Sequence, residues 1–289
     1  MEKGKIIHSV AGTYIVLLED GEKVNCKPRG KLRLREETPL TGDLVLISRN
    51  QDEGIIEDIL PRVNFINRPP IANIDQMIAV IAPKPSPNFA LFDRILITGE
   101  QLQINIVIVI NKYDLGNIEE IIEYYKKTPY KIIVTSAETG YGIDELVSVL
   151  KDKESVLAGQ SGVGKSSILN NLLPKVKALT QEISEKRGFG RHTTKTVSLL
   201  ELIGGGLLAD TPGFNRLDIN EIKCEDLQWY YPEMEPFIGQ CKFRNCLHKD
   251  EPSCAIKRAV KEEKISESRY RSYISILEEI LESEKRLYQ

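Results

Sequence analysis

From Lys5 to Leu60, apolar and polar residues alternate with the two-residue period of strands, in runs at Lys5–His8, Tyr14–Leu18, Lys23–Pro28, Asp43–Arg49 and Gly54–Ile59. Asp20-Gly21 and Asp52-Glu53-Gly54 supply turns between neighbours. Five short strands predict a small β-barrel, with an OB-fold as the leading arrangement. Pro61–Pro70 reads as a linker. Beyond it the pattern changes. Buried-strand runs at Gln76–Ala82, Ile104–Ile110, Lys131–Val134 and Ser155–Ala158 alternate with helical stretches near Asn88–Gln101, Ile118–Lys127 and Gly142–Leu150, and a further helix starts at Lys165. That rhythm predicts an α/β domain, a mostly parallel sheet with helices on both faces. Thr196–Leu202 and Leu207–Ala209 read as two more strands. After Asn220 the alternation stops. In Ser266–Leu287 the residues Tyr270, Tyr273, Ile274, Leu277, Ile280 and Leu281 recur at helical spacing, which predicts a helix packed on its own domain. The expected domains are a barrel over 1–67, an α/β domain over 68–219 and a small α-helical module over 220–289.

Composition narrows the class without naming a partner. With 41% hydrophobic and 28% charged residues the chain has the make-up of a soluble globular protein. Its longest apolar runs fall far short of the roughly 20 residues needed to span a bilayer. The N-terminal Met1-Glu2-Lys3-Gly4-Lys5 runs straight into a strand pattern and does not resemble a signal peptide. A cytoplasmic, membrane-free monomer is the expectation. A formal net charge of −3 leaves nucleic-acid contact to local patches. Lys27, Arg29, Lys31, Arg33 and Arg35 alternate with other residues, so an extended segment puts them on one face. That strip is either a phosphate-contacting surface or a solvated loop offset by Glu36 and Glu37.

The nucleotide chemistry lies in three motifs and two supporting loops. Gly159-Gln160-Ser161-Gly162-Val163-Gly164-Lys165-Ser166 follows a strand and opens a helix, the context of a phosphate-binding loop. Its backbone N–H groups would cradle a β-phosphate, Lys165 would neutralise β/γ oxygens, and the Ser166 hydroxyl would ligate Mg²⁺, with Ser167 among the GTP-binding residues. Asn111-Lys112-Tyr113-Asp114 ends the strand Ile104–Ile110; an Asp carboxylate there accepts from the N1–H and 2-amino group of guanine, which adenine does not offer. Thr135-Ser136-Ala137 follows the next strand and resembles the loop whose backbone N–H meets guanine O6. Asp210-Thr211-Pro212-Gly213 would place Asp210 on an Mg²⁺-bound water and the Gly213 N–H on the γ-phosphate. Between these, Gly188–Thr194 has the glycine content of a mobile loop, and Thr194 is expected to complete the Mg²⁺ shell. Phe214 stands where many GTPases have a water-orienting Gln, which predicts slow unassisted hydrolysis. His192 either positions the attacking water as the catalytic residue or contacts RNA or solvent.

Cys241, Cys246, His248 and Cys254 provide three thiolates and an imidazole at close spacing, a closed tetrahedral shell for one structural Zn²⁺. The order of the nucleotide motifs, base-reading first, phosphate loop second, Asp-x-Pro-Gly last, points to a circularly permuted G domain. Barrel, permuted G domain and Cys-Cys-His-Cys module together resemble the RsgA family, also called YjeQ, the circularly permuted GTPases of bacterial small-subunit assembly. The resemblance implies a GTP hydrolase, binding GTP and GDP with Mg²⁺, that acts late in maturation of the 30S ribosomal subunit. It further implies contact with 16S rRNA, hydrolysis stimulated by the subunit, release afterwards, and His192 as the proposed catalytic residue. A nucleotide-gated RNA-binding module, or a GTPase acting on a different partner such as tRNA or an envelope complex, remain alternatives. The permuted order also suggests that nucleotide state repositions the zinc module, because the γ-phosphate sensor is joined covalently to it.

Overall fold

A computed structural model describes residues 1–10, 12–30, 32, 38–50, 53–67, 69–172, 197–210 and 222–287. Its strands are β1 (Glu2–Val10), β2 (Thr13–Leu18), β3 (Lys23–Pro28), β4 (Leu44–Asn50), β5 (Glu53–Ile59), β6 (Phe65–Asn67), β7 (Pro70–Ala72), β8 (Gln76–Ile81), β9 (Asn105–Ile110), β10 (Lys131–Val134), β11 (Glu154–Gly159), β12 (Ser198–Glu201) and β13 (Leu207–Asp210). The helices are α1 (Phe89–Gln101), α2 (Glu119–Tyr125), α3 (Ile143–Leu150), α4 (Lys165–Leu172), α5 (Ala255–Lys261) and α6 (Glu267–Leu287). The chain divides into two units, one of Met1–Ile78, Ile143–Leu157 and Ser166–Phe214, the other of Ala79–Gly142, Ala158–Lys165 and Asn215–Gln289.

In the first unit β1 to β5 close into the expected barrel. β1–β2, β2–β3, β4–β5 and β1–β4 pair antiparallel, and β3–β5 pair parallel. Alternation along β2, half-buried then buried, turns Tyr14, Val16 and Leu18 inward, where Ile6, Val45, Ile47 and Ile56 are fully buried. Each such aliphatic side chain contributes about 1.5–3 kcal/mol of burial. The basic strip is only partly described: Lys27 pairs with Glu53 and Arg29 with Glu57, both carboxylates of β5. Lys31, Arg33, Arg35, Glu36 and Glu37 lie outside the described residues.

The Pro61–Pro70 linker is a correction. Phe65–Asn67 pairs antiparallel with Pro70–Ala72. Side-chain amides supply partners the local ladder lacks: Asn64 Oδ1 accepts from the Ile74 N–H and its Nδ2 donates to the Ile74 carbonyl, while Asn73 Nδ2 donates to the Gly42 carbonyl. Pro70 is tolerated as a strand's first residue. In the same unit β11 pairs parallel with β13, β13 antiparallel with β12, and β12 with β1. Gln76 donates to the Val149 carbonyl at 2.7 Å and to Ser155 Oγ at 2.9 Å, tying β8 to α3 and β11.

In the second unit β9 and β10 pair in parallel, and the apolar run Val107–Ile110 is buried. α1 starts where the Asn88 side chain accepts from the Leu91 N–H, a side-chain cap for an orphan donor. α6 is the expected C-terminal helix: Tyr273, Ile276, Leu277 and Ile280 form its buried face. Near its start Arg269, 1% exposed, pairs with Asp93 of α1 and, in bidentate fashion, with Glu233. Its guanidinium lies 4.5 Å from the Tyr231 ring centroid. Tyr124 and Tyr125 of α2 donate to the same Asp93 carboxylate. Burial opposes the charge on Arg269, but Asp93 and Glu233 outweigh it and hold the guanidinium protonated.

Candidate functional site

The loop after β9 and the loop after β11 are joined by hydrogen bonds. Asn111 Nδ2 donates to the Val163 carbonyl at 2.9 Å, and Lys112 Nζ donates to the carbonyls of Gly162 and Lys84. The Asn111 side chain also reaches the loop after β10, where its Oδ1 accepts from Thr135 Oγ1 and from the Ala137 N–H, both at 3.1 Å. Asn111, Thr135 and Ser136 are fully buried. Three loops that are remote in sequence thus meet on one side chain. The strands explain why: each loop leaves the carboxyl end of a strand, where ligands of α/β sheets bind.

Close packing here demands glycine. A Cβ on Gly164, at φ +96°, would lie 2.3 Å from Asn111 Nδ2, and one on Gly159, at φ +150°, would lie 2.3 Å from the Val80 carbonyl oxygen. The phosphate loop therefore approaches both neighbours backbone-first. Lys165, at the start of α4, donates to the Gly159 and Gln160 carbonyls at 2.6 and 2.7 Å. Partial burial lowers its pKa. Ser161, Gly162, Ser166 and Ser167 are exposed, and so is Asp114, held in a 3-10 turn over Tyr113–Leu115. Lys112 before it adopts the left-handed conformation at φ +61°, which turns the chain away from β9. Buried Asn111 is thus the organiser and exposed Asp114 the group available to a ligand. Asp210 ends β13 by its backbone. His192, Thr194, Thr211, Pro212, Gly213 and Phe214 lie outside the described residues.

The four metal-ligand candidates do converge. One donor atom from each of Cys241, Cys246, His248 and Cys254 lies within 4.8 Å of the others. Cys241 Sγ and Cys254 Sγ are 3.9 Å apart, and His248 Nδ1 is 3.5 and 3.4 Å from them. A tetrahedral ion with bonds of about 2.3 Å to sulfur and 2.0–2.1 Å to nitrogen requires separations of about 3.8 and 3.6 Å. The donor set fits such an ion. Burial pushes the Cys246 thiol up to about 12 and lowers His248, so the uncharged forms prevail until a cation compensates the thiolates. The backbone N–H groups of Ala255 and Lys257, at the start of α5, donate to Cys241 Sγ and Cys254 Sγ.

Sequence spacing did not reveal Gln228. Its Oε1 lies 2.9 Å from His248 Nε2, fixing the ring so that Nδ1 faces the sulfurs. Gln228 is 20 positions from His248 in a 3-10 turn, and no spacing rule marks such a partner. Among the described residues no helix is long and apolar enough to cross a membrane.

Comparison with known proteins matches residues 3–56 to the RsgA N-terminal domain and residues 59–220 to the RsgA GTPase model. The small ribosomal subunit biogenesis GTPase RsgA of Caldanaerobacter subterraneus subsp. tengcongensis is 45% identical over 292 residues, covering 99% of this chain and 98% of that protein. A Geobacillus protein of the same name is 45% identical over 294 residues, covering 99% and 100%. YjeQ from Thermotoga maritima superposes with a TM-score of 0.85 at 38% identity, covering 97% of this chain and 98% of that one. YloQ, described as a circularly permuted GTPase, superposes with a TM-score of 0.80 at 36% identity, covering 98% and 96%. With the barrel and the phosphate-loop region both matched and relatives aligned end to end, the chain belongs to the RsgA GTPase family.

Proposed function

We propose that this chain, a GTP hydrolase of small ribosomal subunit biogenesis, binds one guanine nucleotide across the loops that Asn111 joins, engages 16S rRNA of the 30S subunit, and leaves after subunit-stimulated hydrolysis. The supporting observation is the hydrogen-bonded bridge from Asn111 and Lys112 to Val163 and Gly162, which ties the base-reading loop to the phosphate loop. Asp114 accepts from the guanine edge, backed by Lys112 and by the Thr135-Ser136-Ala137 loop. The Ala137 N–H, expected at guanine O6, is shared with Asn111 Oδ1. Gly159–Gly164 offers backbone N–H groups to the phosphates. On nucleotide binding the Lys165 ammonium exchanges its two loop carbonyls for phosphate oxygens, which are stronger, charged acceptors. Ser166, Thr194 and the Asp210 segment would hold Mg²⁺, which neutralises phosphate charge when bound. Gly213 senses the γ-phosphate, and His192 positions the attacking water. Zn²⁺ is the ion whose ligand preference and tetrahedral geometry best match the three thiols and one imidazole; it would brace the C-terminal module. The protein acts as a cytoplasmic monomer.

The test is GTP turnover by the full chain with and without purified small subunits. Stimulation by the subunit, loss of turnover in Lys165→Ala, and a drop of about 10²–10⁴-fold in His192→Ala are expected. Equal turnover with and without subunits sinks the maturation role. Turnover surviving in Lys165→Ala sinks the assignment of the phosphate site.

A further inference from the structure

Strand β1 changes partners along one edge. One side of it is taken by β2; on the other, Glu2 to Lys5 pair with Leu44 to Ile47 of β4, and His8 then pairs with Ser198 of β12. The switch coincides with a register shift between Ile6 and His8 in the β1–β2 ladder, the place where a bulge would re-aim the strand. Bulges re-aim strands in this way at barrel rims. Ser198 pairs on its other side with Asp210 of β13. A single lateral row, His8–Ser198–Asp210, therefore runs from the barrel to the first residue of the Asp-x-Pro-Gly motif, about 10 Å from end to end at ordinary ladder spacings. Side chains reinforce it: His8 Nδ1 and Ser198 Oγ are 2.7 Å apart, Thr41 Oγ1 donates to the Val197 carbonyl at 3.1 Å, and Lys23 pairs with Glu201 at the far end of β12.

We propose that His8 is a positioning residue for the nucleotide site: through Ser198 it holds the Asp210 end of β13, so barrel and nucleotide each bias the other. The inference rests on the reading of Asp210–Gly213 as the phosphate-sensing segment. β12 is four residues long and is hydrogen-bonded on both edges, so a displacement of β13 at Asp210 is passed to β1 or must break a ladder. Coupling of this kind is reciprocal: whatever binds the barrel shifts nucleotide affinity by the factor with which nucleotide shifts barrel binding.

Amide hydrogen exchange of the full chain, loaded with GDP or with a non-hydrolysable GTP analogue, tests this. Exchange in β1 around His8 is expected to be slower with the analogue by about fivefold or more, the low end of allosteric couplings. His8→Phe, which keeps bulk and removes the hydrogen bond, is expected to erase that difference while the phosphate loop stays protected by both nucleotides. Ser198→Ala should do the same, and His8→Asn, whose amide can replace Nδ1, should restore it. A β1 difference that is absent in the wild type, or unchanged in His8→Phe and Ser198→Ala, overturns the proposal. No protection of the phosphate loop by either nucleotide overturns the nucleotide-site assignment and the inference with it.

Discussion

Asn111 spends its side chain on protein partners, donating to Val163 and accepting from Thr135 and Ala137, while Asp114 three positions on is exposed. The motif is therefore divided between a buried residue that joins the loops and an exposed one that we propose reads the ligand. Asp114→Asn should weaken GTP binding by about 10–100-fold, the cost of about 1.5–3 kcal/mol for a charge-assisted hydrogen-bonded pair, and should favour xanthosine triphosphate, whose 2-oxo group accepts from the new amide. Competition binding of the two nucleotides reads this directly, and an unchanged preference refutes the base-reading role. The motif spacing was legible because each residue type has one chemical job at a strand's end. The burial of Asn111 was not, because its partners come from two other loops.

At the scale of elements, the metal module is held by more than its ligands. α5 begins at the cysteines, so its first N–H groups point at Sγ atoms, and the 3-10 turn over Leu227–Tyr230 carries Gln228 to the imidazole. Gln228→Ala should lower metal affinity by about 10–100-fold, as loss of an orienting partner does. A chelator competition titration measures it, followed through the emission of Trp229, the sole tryptophan and next in sequence to Gln228. Equal affinity in the variant would reduce Gln228 to a bystander. Strand and helix positions were readable from periodicity, β10 to the residue, whereas β6 and β7 were not. Three-residue strands carry too few alternations to register, and Asn side chains stabilise them through partners beyond the local pattern.

At the scale of the whole chain, permutation matters through what each unit contains. The Asn111–Asp114 loop, the glycine-rich loop through Lys165 and the Cys/His module belong to one unit, in which Arg269 of α6 is buried against Asp93 of α1 and Glu233. Breaking a buried pair leaves an uncompensated charge, so Arg269→Ala should destabilise this unit by about 3–5 kcal/mol, read from urea unfolding by Trp229 emission. A loss within about 0.5 kcal/mol would place the ion pair among those that matter little. The same packing sets an expectation opposed to the swinging module that motif order suggested: the module stays fixed on α1 within its own unit. Spin labels at Glu123 and Asn245 should keep one distance with GDP and with a GTP analogue; a shift between the two would restore the swinging module.

Sequence by itself determined the local pattern: the barrel's alternation, the glycines and lysine of a phosphate-loop motif, the Asn-Lys-x-Asp run at a strand's end, and three Cys and one His close enough along the chain to share an ion. These depend on periodicity and on short-range spacing, which the chain carries in linear order. Only tertiary structure decided that Asn111 joins three loops, that Gln228 orients His248, that Arg269 pairs with two carboxylates from separate elements, and that His8 lies in register with Asp210 through Ser198. Each of those is a relation between segments tens to hundreds of residues apart. Their partners are selected by strand order, register and shared burial, quantities that exist only once the backbone has closed on itself.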